Sequence, residues 1–218
     1  MLEHLVALLR AYGVTEIAIN LHYKPQSIVS HFGDGSRFGV SITYSYEAEL
    51  LGSAGAARNL DRFLDETFFV LYGDVLTDID LAKLAQQHRA RSAAMTLALY
   101  EVEDPSRCGI VRTREDGKVE AFVEKPGLDQ IVGRFANAGV YVAEPEILAH
   151  LPRHRPSDFG HDLIPDVLRR RAPIYAFPTD AYVLDIGSPE RYAQAEVDFA
   201  TGRYRGSRHQ ELVGAERV

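Results

Sequence analysis

Apolar positions recur along this chain in two alternating rhythms. Glu16 to Leu21, Val40 to Tyr44, Thr67 to Leu71 and Ala94 to Tyr100 read as short strands, whereas Leu2 to Tyr12, Pro25 to Phe32, Ala54 to Leu60 and Leu81 to Ala90 show helical spacing. The alternation predicts an α/β fold, a Rossmann-like and mostly parallel sheet flanked by helices. The first helix carries Leu2, Leu5, Val6, Leu8 and Leu9 on a wide apolar stripe that needs a sheet to cover, and Gly13 supplies its stop. No strand precedes this helix, although an alternating fold normally opens on one.

From Gly109 to Val123 the rhythm changes to two strands joined at Glu115-Asp116-Gly117, a strong hairpin signal that predicts a small antiparallel ribbon. A strand over Phe135 to Val142 leads into helices over Pro145 to Leu151 and Phe159 to Arg171, the second capped by Ser157 or Asp158. Short strands follow at Ile174 to Phe177 and Ala181 to Leu184, then a helix from Pro189 to about Ala200. Beyond Thr201 the apolar period is lost, so residues 201–218 read as a mobile tail on one domain spanning 1–200.

Composition narrows the function. The 218 residues, 46% hydrophobic and 25% charged, suffice for one buried core, and the net charge of -7 argues against broad binding to nucleic acid or an anionic membrane. The longest continuous apolar stretch, Phe68 to Tyr72, falls far below the ~18 residues of a membrane span, so a cytoplasmic protein is expected. The single cysteine, Cys108, has no partner for a disulfide or a CxxC zinc site, and the eight histidines form no HExxH pair. No internal repeat is present, and a homo-oligomer is left open.

Several residues have the right chemistry for a site. Leu71-Tyr72-Gly73-Asp74 puts a carboxylate directly after an apolar strand, where open α/β sheets bind ligands. Val183-Leu184-Asp185-Ile186-Gly187 repeats that design, with Ser188 and Pro189 starting the next helix. Two carboxylates at strand ends suit one magnesium ion, which takes oxygen ligands and shares its shell with substrate phosphates. Glu49-Leu50-Leu51-Gly52-Ser53-Ala54-Gly55 forms a helix start whose small residues permit close ligand approach. Glu124-Lys125 pairs a hydroxyl acceptor with a cation suited to phosphate, and Asn137-Ala138-Gly139 adds an amide beside a glycine that also fits a strand bulge.

Taken in order, ELLGSAG, LYGDVLTDID, FVEKP, NAGVYV, SDFGHDLIPDVL and LDIGSPERY resemble the sugar-1-phosphate nucleotidyltransferase family, over nearly the whole chain to about Ala200. The resemblance implies that a nucleoside triphosphate and a sugar-1-phosphate are converted to a nucleotide sugar and pyrophosphate. It implies a magnesium ion held by Asp74 and Asp185, with Lys125 as the third catalytic residue. Gly52 and its nearby backbone would meet the base, Gly109, Glu124, Lys125 and Asn137 would line the sugar-phosphate pocket, and Gly139 would join the substrate-binding residues. Glu47 and Glu49 before Gly52 could accept from the N1-H and N2-H groups of guanine, which favours GTP over dTTP or UTP and a mannose-1-phosphate guanylyltransferase-like activity. Tyr182 stands where relatives often carry an aromatic residue before the second aspartate.

Family members open with a strand and a GGxGTR-type loop, and this sequence starts where their first helix begins, at Leu2-Glu3-His4-Leu5. That departure predicts a gap in the sheet with unpaired backbone groups, and weak or no activity for these 218 residues alone. The alternative is a non-catalytic paralogue that binds sugar nucleotides or pairs with a complete enzyme.

Overall fold

The protein is described by a computed structural model covering residues 1–127, 129, 131–153, 155–204 and 206. The chain opens with α1 (Leu2–Ala11), β1 (Glu16–Leu21), α2 (Pro25–Phe32) and β2 (Ser41–Tyr46), and β1 and β2 pair in parallel from Glu16↔Ser41 to Leu21↔Tyr46. There follow α3 (Gly52–Asn59), β3 (Phe68–Leu71), β4 (Val75–Thr77), α4 (Leu81–Ala90) and β5 (Met95–Glu101). The ribbon is β6 (Gly109–Thr113) and β7 (Val119–Glu124), turned at Gly117 with φ +82. The chain ends with β8 (Phe135–Ala143), α5 (Ile164–Arg169), β9 (Ile174–Pro178), β10 (Val183–Asp185) and α6 (Pro189–Ala200).

The main sheet runs β3-β8-β5-β9. β8 pairs antiparallel with both β3 and β5, and β9 lies parallel to β5, so β3, β5 and β9 share one direction and β8 alone opposes them. Among the described residues no α-helix lies between β7 and β8, and an antiparallel partner needs no helical crossover. The first residues of β8 pair with β6 (Ile110↔Ala136, Val111↔Phe135), which joins the ribbon to the sheet.

Alternation along the strands builds two core layers. Met95, Leu97 and Leu99 of β5 and Tyr141 and Ala143 of β8 pack with Ala54 and Ala57 of α3 and with Ile164 and Val167 of α5. The intervening Ala98, Val140 and Val142 pack with Val6, Leu8 and Leu9 of α1 and Leu81 and Leu84 of α4. Each strand therefore sends successive side chains to opposite helical layers, as its period of two requires.

The expected gap lies between the two sheets. Among the described residues β1 pairs only with β2, and β3 only with β8. Their other edges border a cavity of about 820 Å³, lined by Glu16–Asn20 and Phe68–Leu71, with α1 on one side and α3 on the other.

Three elements differ from expectation. Pro145–His150 forms a 3-10 helix rather than an α-helix. The helix expected over Phe159 to Arg171 opens as a wide π turn, Phe159–Leu163, in which the Ile164 N-H reaches back to the Phe159 carbonyl. Pro165 follows at once and cannot donate to a normal first α-helical turn, so α5 proper starts beyond the wide turn. Strand β4, three residues long, has no signature in the apolar pattern. Caps agree with expectation at Asp158 and Ser188, whose side chains accept from Gly160 and His161 and from Arg191, and Asp80 caps α4 by accepting from Lys83.

Of the stretch expected to be mobile, residues 201–204 and 206 are described. Tyr204 is buried against Leu76 and Ala195 and meets the rings of His4, Tyr182 and Phe199, so the packed structure extends past Thr201. Residues 205 and 207–218 lie outside the described residues. No described helix is long and apolar enough to cross a membrane.

Candidate active site

The short strand β4 decides the site. It pairs antiparallel with β10 so that Val75 lies opposite Asp185, which sets Asp185 next to Asp74, and the Ile186 N-H donates to the Asp74 carbonyl at 2.8 Å. The Gly187 N-H holds Asp185 Oδ1 at 2.7 Å. A Cβ on Gly187 would sit 3.0 Å from Asp185 Oδ1 and 3.8 Å from Asp74 Oδ2, so both carboxylates border this one glycine. Partial burial and then the neighbouring Asp185 charge push the Asp74 pKa above the usual carboxylate range.

Both aspartates face a cavity of about 320 Å³ whose far wall is the ribbon, with Gly109, Glu124 and Lys125, and whose floor is β8, with Asn137 and Gly139. Glu124 lies folded over two glycines: a Cβ on Gly109 would come within 2.6 Å of its Oε2, and one on Gly160 within 2.7 Å. These positions have no side chain because the carboxylate occupies that space. Lys125 takes a positive φ of 46 as it leaves β7, and its N-H donates to the Cys108 carbonyl at 3.1 Å. This turn places its ammonium stem on the cavity rather than along the strand.

Burial raises the Glu124 pKa, with His161 and Lys125 partly opposing the shift. Since the folded-state pKa is raised, the ionised carboxylate destabilises the fold above that pKa and has no effect once both states are protonated. Glu124→Gln is accordingly expected to raise Tm at about pH 8 and to converge on the parent protein below about pH 4. Paired thermal melts across that range check this; a constant offset would show that burial of the charge is not the cause.

Asn137 and Gly139 sit at the bulge where the β5–β8 register shifts between Leu97 and Leu99. Gly139 has φ +67, and a side chain there would strike the Tyr72 ring at 3.1 Å. The Asn137 amide donates to the Tyr141 hydroxyl at 2.6 Å, and its oxygen accepts from the Gly139 N-H at 3.2 Å. Hydrogen bonds continue from Tyr141 to Tyr72 (3.4 Å), from Tyr72 to Ser53 (3.3 Å) and from Ser53 to Asp158 (2.5 Å). This polar chain braces the floor of the cavity against the loop before α5.

Tyr72, Tyr100, Arg107, Asp158 and His161 also line the cavity, and the sequence pattern did not single out any of them for it. Asp158 was visible only as a helix cap, and Arg107 and His161 had no distinguishing local context.

Three expected contributors, Glu47, Glu49 and Gly52, are placed elsewhere. Glu47 is 6% exposed; its carboxylate accepts from Asn20 at 3.1 Å and from the Leu51 N-H at 3.0 Å, closing the turn between β2 and α3. Glu49 is exposed on that turn. The proposed guanine reader therefore has one of its two carboxylates committed to holding the backbone. Gly52 has φ +69, and a Cβ there would lie 2.5 Å from the Ser157 carbonyl oxygen. That same oxygen accepts from the Ala54 and Gly55 N-H groups, both at 3.0 Å, so the first turn of α3 grips the chain before Asp158. Tyr182 donates to Asp198 at 2.8 Å and packs on Tyr204, outside the cavity.

Comparison with known proteins adds to this geometry. The family model described as Nucleotidyl transferase matches residues 1–202. A UTP--glucose-1-phosphate uridylyltransferase of Synechocystis sp. is 36% identical over 89% of this chain and 54% of its own length. A mannose-1-phosphate guanylyltransferase of Mycobacterium tuberculosis is 35% identical over 97% of this chain and 60% of its own. The chain thus spans little more than half the length of these relatives. The crystal structure of HddC from Yersinia pseudotuberculosis complexed with GMP-PN superposes with a TM-score of 0.76 at 28% identity, covering 91% of this chain and 84% of that one. With its ordered motifs, its fold and a family match along nearly its whole length, the chain belongs to the nucleotidyl transferase family.

Proposed function

We propose that this cavity serves transfer of a nucleotidyl group between a nucleoside triphosphate and a sugar-1-phosphate. The observation that carries the reading is the convergence of Asp74, Asp185, Glu124 and Lys125 on one cavity of about 320 Å³, from three separate stretches of the sheet and ribbon. An oxygen of the sugar phosphate attacks the α-phosphorus, a new P–O bond forms, and the bond to the leaving pyrophosphate breaks. Such displacement rests on positioning and on neutralising charge more than on a strong base.

Lys125 suits the sugar phosphate, and Glu124 accepts from sugar hydroxyls. Asp74 and Asp185 offer hard oxygen donors whose like charges lie close together, which fits a divalent cation. Among the described residues no cluster of three His, Cys, Asp or Glu could hold a metal, so magnesium here would take further ligands from substrate phosphates. A bound ion supplies charge neutralisation at those phosphates.

GTP is our reading of the nucleotide. The name of the M. tuberculosis relative and the GMP-PN in the HddC complex support it, while the uridylyltransferase name of the Synechocystis relative makes UTP the competitor. The test is calorimetric binding of mannose 1-phosphate, GTP, UTP and dTTP to this chain in magnesium buffer. We expect mannose 1-phosphate to bind, with a loss of about 10- to 100-fold in Lys125→Ala, the range for a hydrogen bond to a charged group. We also expect GTP to bind more tightly than UTP or dTTP. Sugar-phosphate binding indifferent to Lys125→Ala would remove the site assignment, and a UTP preference would reverse the base.

A further inference from the structure

We infer that His161 is a specificity-determining residue for the sugar: its ring and the Glu124 carboxylate together hold one hydroxyl group, which donates to Glu124 and accepts from His161. This pairing extends the reading of the Asp74 cavity as a sugar-phosphate site and rests on it.

Where β7 meets the wide turn before α5, one acceptor and one donor are left over. Asp158 is fully committed there. One of its oxygens accepts from the Gly160 and His161 N-H groups, at 2.7 and 3.2 Å, and the other accepts from Ser53 at 2.5 Å. Those bonds fix the backbone that carries His161 to the cavity lining. The Glu124 carboxylate is fixed as well, folded over Gly109 and over Gly160, the residue before His161. Among the described residues neither this carboxylate nor the His161 ring hydrogen-bonds to another group of the protein, and no ion pair closes between them. The two are still near enough to interact. The His161 charge is the foremost opponent of the shift that burial imposes on Glu124, ahead of Lys125, its neighbour in sequence.

A half-buried carboxylate without a hydrogen-bond partner is costly, and the pair dictates what fits between its members. The occupant must give a hydrogen to Glu124 and take one from an imidazole N-H, which the ring has in both its neutral and its charged form. A phosphate dianion only accepts, and the Glu124 charge repels it. An ammonium only donates. A hydroxyl does both, and a sugar carries several. Lys125 remains free to meet the phosphate, so the two ends of a sugar-1-phosphate are read by different side chains. A site built to hydrogen-bond a substrate hydroxyl rejects the analogue that lacks it, because its own polar groups are then left unpaired.

Calorimetry in magnesium buffer with mannose 1-phosphate and each of its monodeoxy analogues tests the pair. In the parent protein one analogue is expected to bind about 10- to 100-fold more weakly than mannose 1-phosphate, the range for a hydrogen bond to a charged group. In His161→Ala that penalty should shrink by about 3- to 10-fold, the share of one hydrogen bond, while the penalties at the other ring positions stay as they were. His161→Gln keeps an N-H donor and should retain most of the discrimination. A merely structural role for His161 would weaken every ligand alike. That result, deoxy penalties unchanged in His161→Ala, or a parent protein that penalises none of the analogues would each overturn the inference. If Lys125→Ala still weakens binding, the cavity assignment survives such an outcome; binding indifferent to Lys125→Ala would remove both.

Discussion

Asn in place of Asp74 or Asp185 should erase the response of this protein to magnesium while making the metal-free fold more stable. The two effects have one origin. Asp74 is pushed toward its neutral form by partial burial and by the Asp185 charge across Gly187, so the ionised pair is a source of repulsion in the empty site and of attraction for a divalent ion. Removing either charge relieves the first and abolishes the second. We expect magnesium-dependent nucleotide affinity to fall by more than about 100-fold, beyond the ~10- to 100-fold typical of changes around a metal rather than at it. Tm in chelator should rise at neutral pH and lose that advantage as the solution is acidified through the raised Asp74 pKa, because the parent then sheds the same charge. Isothermal titration with and without magnesium, and melts in chelator, measure both. Unchanged binding in both variants would exclude the metal role, and a lower metal-free Tm would exclude the repulsion.

Gly52→Ala is expected to be the most damaging single methyl group that can be added to the molecule outside that site. The glycine combines a positive φ with a carbonyl, that of Ser157, 2.5 Å from where the methyl must go. That carbonyl cannot retreat without losing the Ala54 and Gly55 N-H groups that hold it. Backbone strain and overpacking together cost about 3 kcal/mol, a fall in Tm of roughly 10 °C for a chain of this size. Gly117→Ala is the control. It has a similar φ of +82 but nothing nearer than 4.0 Å, so only the strain of about 1 kcal/mol applies. Equal losses in the two variants would show that packing against Ser157 contributes nothing.

Most of the fold could be read from the apolar pattern because its strands and helices are amphipathic at their own periods, as with Glu16–Leu21, Pro25–Phe32 and Leu81–Ala90, whose observed bounds are those expected. What could not be read was whatever depends on partners far along the chain. β4 is too short to carry a period, yet its pairing with β10 brings Asp74 and Asp185 together across more than a hundred residues. Glu47 was expected to read guanine beside a glycine-rich helix start; its carboxylate instead accepts from Asn20, 27 residues earlier, a partner no local pattern reveals. Gly52 and Gly139 were recognisable as special backbone positions, but not the contacts that require them, with Ser157 and with Tyr72. Glu124 and Lys125 were legible because adjacent residues at a strand end reach one cavity together. Asp158, visible only as a helix cap, His161 in the wide turn after it and Arg107 in a short 3-10 helix reach the cavity without a local signature for that role.

The separation of β1 and β2 from the main sheet also bears on how the molecule comes apart. Among the described residues the two-stranded unit has no backbone ladder to β3 and is held by side chains alone, through Ile17, Phe32 and Ile42 against Val6, Ile79 and Leu81. The β3-β8-β5-β9 sheet, by contrast, is knit by continuous hydrogen bonding around fully buried residues such as Leu97 and Tyr141. Such a molecule has two levels of cooperativity: α2, β1 and β2 form a unit that opens at a lower free energy than the rest, and its denaturant dependence is shallower than one all-or-none transition of the whole chain would give.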